Sequence, residues 1–126
     1  MCILTVDFGT SSAKIAILDE NYNVLDSASV KYDYKVSNLD WVELDPDEVF
    51  SAMIKGLKIM DKYLDRIQVI AYDTFSPSMC FMDKDGKMLY PIITHLDRRS
   101  KKQTQEILQV MGKDAFQSIT GVQPFT

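Results

Sequence analysis

Two apolar, β-prone runs at residues 2–6 and 14–18 are separated by the polar turn formers Asp-Phe-Gly-Thr-Ser-Ser at 7–12, and this spacing constrains the fold most. Two short strands joined by a tight turn pair as an antiparallel hairpin, because a parallel return needs a crossover of about a dozen residues. A second polar turn, Asp19 to Asn23, leads into an irregularly alternating stretch from Val24 through Val30, Tyr32 and Tyr34. That stretch reads as a third antiparallel strand. Residues 37–43, with the only tryptophan, Trp41, read as a loop.

Helix-start signals then stack at Asp45-Pro46-Asp47-Glu48: an N-cap aspartate, a proline at the first helical position, acidic residues in the first turn and a glutamate able to close a capping box. Phe50, Met53, Ile54, Leu57, Met60 and Leu64 follow at helical spacing, an apolar stripe about five turns long, weakened locally by Gly56. The apolar run at 67–72 reads as a largely buried parallel strand reached through that helix and ending at Asp73. Asp83-Lys84-Asp85-Gly86 centres a small ribbon, residues 91–94 are extended, and a polar helix follows Ser100 up to Gly112, with a short helical turn at 113–118. The order β-β-β-α-β predicts an α/β fold with the antiparallel meander and a parallel strand in one mixed sheet.

The 126 residues suit a single domain, and 46% hydrophobic with 25% charged residues is an ordinary globular balance. A formal charge of −4 offers no long-range attraction to nucleic acid or an anionic membrane, so neither is expected as a partner. Cys2 and Cys80 belong to no CxxC or Cys/His cluster, which leaves neither a zinc site nor a disulfide framework. With no signal-peptide pattern and no apolar run near the roughly 18 residues of a membrane span, a cytoplasmic protein is expected.

The turn at 7–12 carries the clearest chemistry. Hydroxyls, backbone amides and Gly9 can cradle phosphate oxygens, Asp7 can orient Mg²⁺, and Lys14 can reach the same phosphates. A plain β-turn capped by its own polar side chains is the alternative.

Asp7-Phe8-Gly9-Thr10-Ser11-Ser12-Ala13-Lys14 closely resembles the first phosphate-binding motif of the FGGY family of carbohydrate kinases. Further segments match in order: Trp41-Val42-Glu43-Leu44-Asp45-Pro46 the family's W-x-E-x-D-P, residues 83–93 its D-x-x-G-x-x-L-x-P-x-I ribbon, Asp97-Arg98-Arg99 its D-x-R, and Ile119-Thr120-Gly121 its I-T-G. The resemblance spans essentially the whole chain. It implies a ribonuclease-H-like, actin-like domain, with residues 1–126 forming the N-terminal part of the first of two such domains and the second absent. The implied activity is ATP-dependent, Mg²⁺-assisted phosphorylation of a sugar or polyol hydroxyl. Gly9, Thr10, Ser11, Ser12 and Lys14 would approach the ATP phosphates, and Asp7 would serve the metal in a supporting catalytic role. The family's catalytic base and adenosine segments have no counterpart here, so the chain alone is expected to be inactive and to rely on the missing C-terminal portion. A homodimer is left open.

Where xylulose-specific members read G-Q-M-H-G, this chain reads Thr74-Phe75-Ser76-Pro77-Ser78, and Pro77 has no amide hydrogen to offer. Tyr72-Asp73-Thr74 is closer to the I-D-F of ribulose-type members, and His95 stands where many members carry tryptophan. On the substrate side the resemblance implies Asp73, Ser76, His95 and Asp97. Two other classes are weighed. Asp7, Glu48 and Asp73 lie on the three elements that carry the metal carboxylates of ribonuclease H nucleases, and a non-catalytic ligand-binding module could keep the phosphate loop.

Overall fold

The computed structural model describes residues 1–124. Strands β1 (Cys2–Phe8), β2 (Ser12–Leu18) and β3 (Val24–Lys31) form the expected meander, and β6 (Ile67–Thr74) lies parallel to β1, giving the sheet order β3-β2-β1-β6. Between β3 and β6 come β4 (Lys35–Ser37), β5 (Trp41–Leu44) and α1 (Pro46–Ile59), then a short 3-10 helix at Asp61–Arg66. Strand β7 (Ile92–Ile93) pairs with β5 to complete a small second sheet, followed by α2 (Lys101–Met111) and α3 (Lys113–Thr120).

Helix α1 covers one face of the main sheet, packing on β2 and β3. Alternation along β1 and β2 sends Cys2, Leu4, Val6, Ile15 and Ile17 into that layer, where they meet Leu44, Val49, Ala52 and Met60. The opposite face carries Thr5, Asp7, Lys14, Ala16 and Ser29 around an open cavity of about 520 Å³.

Several sequence expectations are corrected. Residues 37–43 are mostly a hairpin: Ser37 pairs with Trp41, and the chain reverses through Asn38 and Leu39, both at positive φ. The third strand ends at Lys31, short of Tyr32 and Tyr34. Helix α1 ends at Ile59, and its buried stripe is Val49, Ala52 and Gly56 with Met53 and Leu57 partly covered, while Phe50 and Leu64 are exposed. Gly56 is less a weak point than a contact, because a Cβ there would overlap Ile15 Cδ1 and stand 3.2 Å from Cγ1. The capping box does not close: Asp45 Oδ1 accepts from Asp47 N–H at 3.0 Å, while Lys35 binds Asp45 Oδ2 at 2.8 Å and draws Glu48 to 3.9 Å. Strand β6, expected to be buried, is exposed from Gln68 to Thr74, since it is the sheet's edge strand and α1 covers β2 and β3 instead. Helix α3 is longer than the expected turn at 113–118. None of the described helices is long and apolar enough to cross a membrane.

Candidate active site

The loop between β1 and β2 sits at the carboxyl end of β1, beside the carboxyl end of the parallel β6, where open α/β sheets bind ligands. It is held from inside. Gly9 N–H donates to the Ser12 carbonyl at 3.0 Å, Tyr32 N–H donates to the Ser11 carbonyl at 3.2 Å, and the buried Tyr32 hydroxyl donates to the Gly9 carbonyl. Burial, then the charges of Tyr34 and Asp7, push the Tyr32 phenol up to about 12. This anchoring leaves Thr10 and Ser11 exposed at the tip and Lys14 exposed on β2, with Ser12 buried at the start of that strand. A Cβ at Gly9 would press on the Ser12 carbonyl at 3.3 Å and approach Lys14 Nζ at 3.8 Å, narrowing the mouth of the loop.

Asp7 and Lys14 face each other across the β1–β2 register, with Lys14 Nζ 3.0 Å from Asp7 Oδ2. Asp7 Oδ1 has no protein donor among the described residues. One half-exposed carboxylate beside a lysine and an open loop suits Mg²⁺, which keeps most of its shell as water and phosphate oxygen. Asp73 is the register neighbour of Asp7 and shares its face, with its own Oδ1 accepting from Thr74 N–H at 2.8 Å. Glu48 stands apart, on the α1 side beside Lys35, and no group of three His, Cys, Asp or Glu gathers to hold a metal among the described residues. The ribonuclease H trio is therefore not assembled.

A second site follows β6. Ser76 is exposed, and a cavity of about 390 Å³ is lined by Pro77, Met79, Thr94, His95, Arg98 and Lys101, among others. His95 Nδ1 and Ser78 Oγ are buried without a hydrogen-bond partner, two polar atoms left free in the segments that follow β6. Asp97 is tied into the protein at both carboxylate oxygens. Its Oδ1 accepts from Arg99 N–H at 3.0 Å and Arg99 Nε at 2.8 Å, and its Oδ2 from Val42 N–H at 2.8 Å and Arg99 Nη2 at 2.7 Å. Burial raises the Asp97 carboxyl, but the bonds from Arg99 and Val42 outweigh it and the net shift is downward. All four acceptor positions are spent inside the protein.

Sequence reasoning missed Tyr32 and Arg99. Tyr32 carries no motif, and its contact with Gly9 crosses 23 residues. Arg99 could have been suspected from the pairing of W-x-E with D-x-R, since a partly buried arginine needs carboxylates.

This sheet order, an antiparallel β3-β2-β1 meander with β6 parallel to β1, is that of the ribonuclease-H-like folds, and the likeness to solved carbohydrate kinases places it in their actin-like ATPase class. The chain belongs to the FGGY family of carbohydrate kinases: residues 2–126 match the model of that family's N-terminal domain. It is 30% identical over 121 residues to the gluconokinase of Bacillus licheniformis, covering 94% of this chain and 24% of that one. It is 28% identical over 129 residues to the glycerol kinase of Thermococcus gammatolerans, covering 97% and 25%. The crystal structure of a xyloylose kinase from Brucella ovis superposes with a TM-score of 0.86 at 25% identity, over 99% of this chain and 26% of that one. Plasmodium falciparum glycerol kinase with ADP shares the fold, with a TM-score of 0.85 at 24% identity over 98% and 26%. The chain thus spans about a quarter of the length of the curated relatives it matches.

Proposed function

We propose that the natural polypeptide carrying these residues transfers the γ-phosphoryl group of ATP to a hydroxyl of a sugar, sugar acid or polyol. Residues 1–126 would supply the N-terminal part of the first of two actin-like domains, and the work would be done in the cytoplasm, where ATP is. The observation that carries this reading is the loop from Asp7 to Lys14. Its base is tied by Tyr32, its hydroxyls at 10 and 11 are exposed, and a carboxylate and an ammonium meet at its mouth. The names of the relatives, gluconokinase and glycerol kinase, support the substrate class.

Gly9 lets the backbone approach the phosphates, Thr10, Ser11 and Ser12 donate to their oxygens, and Lys14 trades its contact with Asp7 for phosphate charge. Asp7 would hold Mg²⁺, which supplies charge neutralisation at the transferring phosphoryl group. Asp73, Ser76 and His95 would meet substrate hydroxyls, while Asp97 acts on that side through the turn it ties down. The base that takes the hydroxyl proton is expected from the rest of the kinase, so catalysis by these residues is mostly positioning and charge stabilisation.

The test is ATP consumption by the purified natural polypeptide with a panel of pentoses, hexoses, aldonates and polyols. Turnover dependent on one of them is expected. ATP hydrolysis indifferent to every member, or none at all, would contradict the reading.

A further inference from the structure

Four side chains from three segments meet Arg99. Its Nη2 lies 2.6 Å from Glu43 Oε1 and 2.7 Å from Asp97 Oδ2, its Nη1 donates to the Tyr90 hydroxyl at 3.1 Å, and its guanidinium stacks 4.2 Å from the centre of the Trp41 ring. The Asp97 side chain is 4% exposed and that of Glu43 14%, so the guanidinium separates two carboxylates that water does not screen. The hydrogen bonds Arg99 donates to Asp97, and then to Glu43, drive its pKa upward against burial, and the ion stays charged.

The turn at 94–98 hangs from the same strand. Thr94 donates to the Val42 carbonyl through its N–H at 3.1 Å and its hydroxyl at 2.8 Å, and Val42 N–H returns a bond to Asp97 Oδ2 at 2.8 Å. Arg98 N–H donates to the Asp40 carbonyl at 2.7 Å, and Arg98 Nη1 to the His95 carbonyl at 2.9 Å. His95 is therefore held between fixed points, with its Nδ1 unpartnered. Remove the guanidinium and Glu43 and Asp97 repel across the gap, which opens the joint between β5 and the turn.

We propose that Arg99 is a positioning residue for the substrate-side turn: by bridging Glu43 to Asp97 it sets where His95 meets the substrate. This rests on the substrate-side reading above. Lysine at 99 keeps the charge and loses the planar fork that reaches both carboxylates.

The test uses the natural polypeptide with Glu43→Gln, Arg99→Lys and the double substitution. Each single change raises the KM for the sugar substrate by about fivefold or more, with the KM for ATP within about twofold. The double change raises it by less than the product of the two. A lower melting temperature with an unchanged sugar KM, or an effect on ATP instead, overturns the proposal. A second readout needs no turnover: in ¹⁵N-histidine-labelled protein, with His95→Asn assigning the signal, Arg99→Lys shifts the His95 ring resonances and the surface change Lys102→Ala does not. Unmoved His95 resonances overturn the proposal. If Arg99→Lys moves the His95 resonances while the wild-type protein phosphorylates no substrate, the positioning role stands and the kinase reading falls.

Discussion

Replacing Tyr32 by phenylalanine deletes one hydroxyl from the base of the loop between β1 and β2. The residue is 6% exposed, and its backbone bond to Ser11 survives, so only the bond to the Gly9 carbonyl is lost. Gly9 is half-buried, so water can reach part of the vacated acceptor. The cost therefore falls near the low end for an orphaned carbonyl, about 1 kcal/mol. At a urea m-value of about 2 kcal/mol per molar, that moves the midpoint down by about 0.5 M. Titration of the phenol probes the same bond. Burial and the charges of Tyr34 and Asp7 raise it from 10.0 to about 12, so the folded state holds the proton more tightly than the unfolded state. Its contribution is complete below about pH 10 and is lost as the pH rises towards 12. Urea titrations of wild type and Tyr32→Phe, followed by circular dichroism, should differ by about 0.5 M at neutral pH and converge between pH 10 and 12. Equal midpoints at neutral pH, or a gap that stays constant through pH 12, would refute the anchoring role.

Gly56→Ala should lower stability by about 1 kcal/mol in the same assay, because the overlap with Ile15 exceeds the gain in helix propensity. Adding Ile15→Val should recover part of the loss, and a more stable Gly56→Ala would show that the helix stands further from the sheet. Residues 1–126 alone should self-associate, since β6 exposes Val69, Ile70 and Tyr72 along an unpaired edge, and a concentration-independent monomer in sedimentation would refute this. The same chain should give no sugar-dependent ATP turnover.

What could be read from the sequence was local and periodic. The hairpin around 7–12, the start of α1 at Asp45-Pro46 and the turn at Asp83–Gly86, where Gly86 takes φ 81°, each follow from neighbouring residues. The β4–β5 hairpin did not, because it turns through Asn38 and Leu39 at positive φ without a glycine to announce it. The exposure of β6 was hidden for another reason. An apolar run is the same whether its strand is central or at the edge, and only the sheet order decides. In the candidate site, Asp7, Gly9 to Ser12 and Lys14 were legible because one turn gathers them. Tyr32, Glu43 and Arg99 were not, because their roles appear only when distant segments meet.

Asp7→Asn in the natural polypeptide decides whether the loop from Asp7 to Lys14 handles transferring phosphate. The substitution keeps the shape, removes the charge that would hold Mg²⁺, and weakens the hold of Asp7 on Lys14. Steady-state kinetics at saturating ATP and Mg²⁺ should show kcat reduced by about a hundredfold or more, with the KM for sugar nearly unchanged. A near-normal kcat with a collapsed sugar affinity would contradict the claim and move the loop to the substrate side.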